Sequence, residues 1–230
     1  CHHGVLSIFQ NLSYSKSFTH SSRVQGGLFT RGRRWNRNRL KNILMFLWAA
    51  IASTAIAPAQ FSIRHPLPGM ADANRTFNAG LLDVRSPVGH LSVFHAIASH
   101  PDPAAPLIVW MNGGPGASSL MGFFTELGPY LLNLRSVPKA AGHDDASGWT
   151  AFSNPSSWST VGSLLVWEQP AGVGFSRCVD GCPKPWNDTT SATANLHVLL
   201  AFFAQYPAEA ARDLVIAGES YAGIYVPLLA

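Results

Sequence analysis

Apolar positions fall in short, strand-like runs separated by glycine- and proline-rich turns, with two stretches of helical spacing between them. Phe77 to Val84 and Leu91 to Ile97 read as strands joined by the turn Ser86-Pro87-Val88-Gly89. Leu107-Ile108-Val109-Trp110 and Leu164-Leu165-Val166-Trp167 are unbroken apolar runs of the buried-strand kind, and Leu214-Val215-Ile216-Ala217 is a third strand-like run. Ser118 and Ser119 can cap a helix over about 119–127. Residues 191–203 have helical spacing with Leu196, Leu199, Leu200 and Phe203 on one face, and 224–230 are apolar and helix-compatible. Residues 136–157 are polar and loop-like, and no repeat of fixed period is present. Strands that alternate with helices, the later ones continuously apolar, predict an α/β fold with a largely parallel central sheet. Ligand chemistry in such sheets gathers at the carboxyl ends of strands. Three loops leave such ends here, at 112–116, at 168–176 and after Ala217, so a shared site is expected.

The beginning of the chain has a different character. Residues 1–42 hold eight basic side chains and no Asp or Glu, which leaves eight basic against all twelve acidic residues for the remainder. The net charge of +4 is therefore a property of the leader, and the globular part is mildly acidic. A basic leader without a recognisable binding module does not make a nucleic-acid-binding protein. Ile43 to Ala57 is an uncharged apolar run behind Arg37, Arg39 and Lys41, followed by the small residues of Ala55-Ile56-Ala57 and Ala57-Pro58-Ala59. That succession describes a secretory signal. The run is short of the roughly 18–20 apolar residues of a spanning helix, so no stable membrane span is expected. An uncleaved signal anchor or a buried helix is the alternative. Met45 can serve as the true start, which would make 1–44 an upstream extension. The expected organisation is a leader with a signal-like segment over 1–59 and a catalytic-type portion over 60–230.

Cysteine use fits a secretory route. Cys178 and Cys182 can close a small local disulfide or pair elsewhere, since connectivity is not readable from spacing. No second ligand pair accompanies them, so neither a metal nor another cofactor is expected. Asn74-Arg75-Thr76 and Asn187-Asp188-Thr189 are glycosylation acceptors.

The chemistry concentrates near the end of the chain. Gly218-Glu219-Ser220-Tyr221-Ala222-Gly223 follows a strand-like run and precedes a helix-compatible one. Strand, sharp turn with serine at its apex, then helix is the arrangement of a nucleophile elbow. A serine nucleophile needs backbone N–H donors aimed at the developing oxyanion. One comes from the residue after the serine, here Tyr221, and the other from a Gly-rich loop after an earlier strand. Asn112-Gly113-Gly114-Pro115-Gly116 follows Trp110 and lacks the Gly-Lys-Ser/Thr ending of a phosphate loop.

These blocks together resemble the serine carboxypeptidases, the carboxypeptidase Y and cathepsin A family. The resemblance is carried by 105–120, with Trp110-Met111-Asn112-Gly113-Gly114-Pro115-Gly116 at its centre, and by Phe124-Thr125-Glu126-Leu127-Gly128-Pro129. Asn154-Pro155-Ser156-Ser157-Trp158, Gln169 to Ser176, and Gly218 to Gly223 with Tyr225-Val226-Pro227 continue it. The resemblance implies an α/β-hydrolase fold with Ser220 as nucleophile and Gly114 and Tyr221 as oxyanion-hole donors. It further implies that Asn112, the Gly113 N–H, Glu126 and Glu219, supported by Trp110, bind the terminal carboxylate of a peptide. Two carboxyl groups facing a carboxylate ligand work only as protonated donors, so activity at acidic pH is expected.

This sequence departs from the pattern at Ala117, where many members have cysteine. In this fold the triad runs Ser, Asp, His, and His95, His143 and His197 all precede Ser220. The chain is therefore expected to be an N-terminal portion that lacks two triad members, and to be inactive and unstable alone. The expected function of the parent protein is release of C-terminal residues from peptides through an acyl-enzyme, in a vacuole, a lysosome or outside the cell. A serine-carboxypeptidase-like acyltransferase and a non-catalytic partner that stabilises other enzymes are the alternatives.

Overall fold

The turn at Pro87 and Val88 folds two eleven-residue strands onto each other. Gln60–Ser62 (β1) pairs antiparallel with Thr76–Ser86 (β2), which pairs antiparallel with Gly89–Ser99 (β3) from Ser86↔Gly89 to Thr76↔Ser99. The computed structural model describes residues 60–62, 76–133, 136, 151–183 and 185–230. The leader, the signal-like segment, Cys1, Asn74, His143 and most of the 136–157 loop lie outside the described residues.

Leu107–Met111 (β4) and Ser163–Trp167 (β7) are buried at every position, as their unbroken apolar runs predict. Alternation along a strand sends successive side chains to opposite faces, and the core divides accordingly. Leu107, Val109, Met111, Leu165 and Trp167 join one cluster with Ala194, Val198, Leu199 and Phe202. Ile108, Trp110, Leu164 and Val166 join another with Phe123 and Leu127. Helical elements thus cover both faces of the sheet, the layering of an α/β fold. Between β4 and β7 lie Ser119–Gly122 (α1), a π-helical turn Phe123–Leu127, and the small antiparallel pair Tyr130–Leu131 (β5) and Phe152–Ser153 (β6).

After β7 the chain forms Arg177–Cys178 (β8), the helix Asp188–Gln205 (α2), a short helix Pro207–Ala210 (α3), the strand Leu214–Gly218 (β9) and the helix Ala222–Leu229 (α4). The main sheet runs β1-β2-β3-β7-β4-β9, with β8 beside β3. β3 meets β7 antiparallel, and the parallel part is β7-β4-β9. In that part Trp110 lies opposite Val166 and Met111 opposite Gly218, so three carboxyl ends share one rim.

The buried face of α2 differs from the sequence reading. Ser191, Ala194, Asn195, Val198, Leu199 and Phe202 are buried, whereas Leu196 is 45% exposed. The helix is rotated because Asn195 points inward, where its Oδ1 accepts from Trp167 Nε1 at 3.0 Å. Asn187 caps α2, accepting from Thr190 N at 2.9 Å while Thr190 Oγ1 accepts from Asn187 N at 3.0 Å. Cys178 and Cys182 are joined to each other.

Two buried polar groups outside the rim bear on stability. Arg212 donates to the carbonyls of Asp102 at 2.5 Å, Ala105 at 2.9 Å and His100 at 2.9 Å, and pairs with Glu209 at 2.8 Å. This cluster fixes the entry to β9 against the entry to β4. His95 is fully buried on β3, hydrogen-bonded to the Tyr206 hydroxyl at 2.9 Å and edge-on to Phe202. Burial lowers its pKa to about 4, a Gly80 backbone contact acting in the other direction. No helix among the described residues is long and apolar enough to cross a membrane.

Candidate active site

Ser220 sits at the apex of the turn between β9 and α4. It is the single non-glycine residue with positive φ among the described residues, at 56°. Holding a non-glycine residue there costs on the order of 1–3 kcal/mol and persists only where surrounding structure enforces it. The enforcement is visible. Ala222 N donates to Glu219 O and Gly223 N to Ser220 O, both at 2.9 Å, while Ala222 and Tyr225 are buried beneath. Ser220 itself is exposed. Its hydroxyl receives no hydrogen bond from the described residues, and His90, His95, His100 and His197 engage other partners.

The Gly-rich loop approaches this turn edge-on. A Cβ added to Gly113 would collide with Tyr221 N and lie 2.8 Å from Glu219 O and 3.0 Å from Ser220 Cβ. Glycine at 113 is therefore a condition for the two loops to meet. Gly114 follows with φ 109° and is exposed at the rim.

Around Asn112 the polar side chains converge. Trp110 Nε1 donates to Asn112 Oδ1 at 2.8 Å, which fixes the amide so that Nδ2 donates to Glu219 Oε1 at 2.7 Å. Ser119 Oγ accepts from Asn112 N at 3.2 Å. Trp110 is buried and stands edge-on to Trp158 at 5.3 Å. Glu126 comes from the π-helical turn, where Gly128 N bonds to Phe123 O at 2.9 Å. Burial, and after it the charge of Glu219, raises the Glu126 pKa above the ordinary carboxylate value. The neutral acid, which can donate a hydrogen bond, is thereby favoured at Glu126.

Tyr221 is oriented from the other side, its hydroxyl donating to Asp188 Oδ1 at 2.8 Å in the first turn of α2. That bond, above the effects of burial, raises the Tyr221 pKa. The Tyr225 hydroxyl faces the Gly116 backbone.

Ser220, Tyr221, Gly113, Asn112, Trp110 and Glu219 are thus joined by short contacts, Glu126 is near enough to feel the charge of Glu219, and Gly114 lies on the same loop. Asn187 caps α2 directly before Asp188, and the Cys178–Cys182 bridge lies beside β3. Sequence reasoning missed Ser118, Glu168, Gln169, Asn195 and Asp188, all of which bond to members of the group or to its neighbours. A signal was present for two of them. Glu168-Gln169 is a polar pair directly behind a buried strand, at the end where α/β sheets place their chemistry.

Comparison with known proteins gives one consistent answer. A family model described as serine carboxypeptidase matches residues 68–230. Mouse (Mus musculus) lysosomal protective protein is 37% identical over 191 residues, which are 82% of this chain and 36% of that protein. Serine carboxypeptidase-like 36 of Arabidopsis thaliana is 35% identical over 176 residues, 76% of this chain and 34% of its own. The crystal structure of a prohormone-processing carboxypeptidase from Saccharomyces cerevisiae matches with a TM-score of 0.56 at 28% identity, over 71% of this chain and 36% of that one. The chain therefore spans about a third of the length of these relatives.

Proposed function

The chain belongs to the serine carboxypeptidase family, and on that premise we propose that it carries the nucleophile and the substrate-carboxylate clamp of a peptidase that releases C-terminal residues. Ser220 attacks the last peptide carbonyl, and Gly114 N–H and Tyr221 N–H receive the oxyanion. Asn112, Gly113 N–H, Glu126 and Glu219 hold the free carboxylate, with Trp110 fixing the Asn112 amide. The observation that carries the reading is the Asn112–Glu219 bond beside the Gly113–Tyr221 contact. These contacts support reading the group beside the serine as a clamp for a terminal carboxylate, for which a neutral ester has no use.

Ser220 needs a general base to be a strong nucleophile, and none of the described histidines meets it. In this fold the triad runs Ser, Asp, His, so we infer that the base follows Ser220 in the complete protein and that residues 60–230 alone are inactive. The signal-like segment 43–57, ahead of this portion, directs the protein into the secretory pathway. Asn187 is exposed and caps α2 through Oδ1, which leaves Nδ2 for a glycan. The test is to give the complete protein blocked dipeptides and the same dipeptides as C-terminal amides. Release of the last residue from the free acids alone is expected. Equal turnover of the amides would refute the clamp, and transfer from acyl-sugar donors without hydrolysis would make the protein an acyltransferase.

A further inference from the structure

The two residues that leave the carboxyl end of β7 reach opposite ends of the Gly-rich loop. At its start, Gln169 Nε2 donates to Asn112 O at 3.4 Å. At its end, Ser118 Oγ donates to Glu168 Oε1 at 2.5 Å. Between these ends Gly114 and Gly116 sit at φ 109° and 90° and 114–116 are exposed, the Tyr225 hydroxyl facing the Gly116 backbone. Ala117 contributes no side-chain anchor beyond a methyl group, although its N–H bonds to Gly113 O at 3.0 Å.

Glu168 is built into place. It is 1% exposed. Its second carboxylate oxygen accepts from Phe175 N at 2.5 Å, its N–H donates to Phe94 O at 3.0 Å, and its carbonyl accepts from Ser176 Oγ at 2.8 Å. Ser176 Oγ also accepts from Phe94 N at 2.9 Å. Gly174, at φ 54°, lies so close that any Cβ there would overlap the carboxylate. No Lys or Arg pairs with it among the described residues. A buried carboxylate without a cation is costly, and an apolar residue of similar volume is often at least as stable. Stability of the core therefore does not account for an acid here, whereas short, directional bonds from a hydroxyl and an N–H do suit a carboxylate.

We propose that Glu168 is a positioning residue that, through Ser118, holds the 114–117 backbone so that Gly114 N–H points at the oxyanion. The proposal rests on the reading of that loop as an oxyanion hole. The clamp is tied separately, Asn112 through Trp110 and Ser119 and Gly113 through its close approach to the Tyr221 and Glu219 backbone, so loosening the loop beyond Gly113 lowers turnover and leaves substrate binding intact.

The experiment uses the complete protein with Ser118→Ala, Ser118→Thr, Glu168→Gln and the double variant Ser118→Ala with Glu168→Gln. Each is read by kcat and KM on a blocked dipeptide and by amide hydrogen exchange at 114–117. Ser118→Ala and Glu168→Gln each lower kcat by about tenfold, the loss of one bond to a charged group, with KM within about twofold. The double variant is no worse than either single one, and Ser118→Thr retains wild-type kcat. Exchange at 114–117 quickens in both single variants, while the amides of β4 are unchanged. Ser118 Oγ also caps α1 by accepting from Leu120 N, and Glu168→Gln leaves that cap in place, so agreement between the two variants separates the tie from the cap. If Glu168→Gln does not fold, the Ala and Thr variants at 118 carry the test. Losses that multiply in the double variant, a KM rise at constant kcat, or unchanged exchange would overturn the proposal. If the wild-type protein releases no C-terminal residue, the functional reading fails, and the exchange measurement alone decides whether the tie exists.

Discussion

Replacing Gly113 by alanine adds one methyl group at the point where the Gly-rich loop touches the elbow. The new Cβ collides with Tyr221 N, and lies 2.8 Å from Glu219 O and 3.0 Å from Ser220 Cβ. Two of these three atoms are backbone, so no side chain can rotate away. Gly113 has no positive φ, which makes the effect steric and leaves backbone strain out of it. Separating the loops to ordinary contact requires a displacement of roughly 1 Å, and a misplacement of that size costs about 100-fold in rate. Loss of one oxyanion donor on the same occasion amounts to about 10²–10³ in kcat. Gly223→Ala is the matched control: a Cβ there meets nothing within 4 Å, and the site is an exposed position of α4. It should leave kcat unchanged and raise stability by about 0.5–1 kcal/mol through helix propensity. Steady-state hydrolysis of a blocked dipeptide by the complete protein, with circular dichroism to show that both variants fold, measures the pair. A folded Gly113→Ala variant with kcat/KM within threefold of Gly223→Ala would refute the close approach as a catalytic requirement.

The proposed clamp should make binding pH-dependent in one direction. The Glu126 pKa is raised, so its neutral, donating form is present below that pKa and is lost as pH rises through it. KM for a free-carboxylate peptide should therefore climb as pH rises through that raised pKa, and Glu126→Gln, a permanent neutral donor, should flatten the climb; a flat wild-type profile would contradict this. Arg212→Ala removes the cation beside buried Glu209 and three bonds to carbonyls, which should cost about 3–5 kcal/mol in a denaturant titration. Arg212→Met with Glu209→Leu should recover much of that loss, and no recovery would count against the uncompensated charge as its cause. His95 is held neutral with its pKa lowered from 6.5 to about 4. Its folded value lies below its unfolded one, so its contribution is complete above pH 6.5 and is lost as pH falls toward 4. The shift corresponds to roughly 3 kcal/mol. A His95→Leu variant should lose less stability across that window than wild type, as read by thermal unfolding at each pH.

The elements most legible in the sequence were those whose signal is local. Leu107–Met111 and Ser163–Trp167 are strands buried on both faces, and four or five consecutive apolar residues suffice to announce that. The elbow was legible because a strand, Gly-Glu-Ser-Tyr-Ala-Gly and a helix are contiguous, and the Gly-rich loop because glycine is needed wherever backbones touch. The face of α2 was misjudged for a physical reason. Asn195 is polar and so was not counted as inward, yet its partner Trp167 sits in the core and supplies the bond that makes burial tolerable. Glu168 escaped notice likewise, since its donors Ser118 and Phe175 are an unremarkable serine and a backbone N–H.

By itself the sequence determined the order of strands and helices, the serine at a strand-to-helix turn, the glycine-rich loop behind it and the residue types of a carboxylate clamp. Only the tertiary structure decided that these meet. Asn112 and Glu219 are 107 residues apart, and they touch because β4 and β9 are parallel neighbours in the register that sets Met111 opposite Gly218. That register is fixed by packing between the two faces of the sheet and the helices covering them. A slip of one residue would send every side chain of β9 to the wrong face. Periodicity specifies which face of an element is apolar, while the choice of neighbour and register is a property of the whole core.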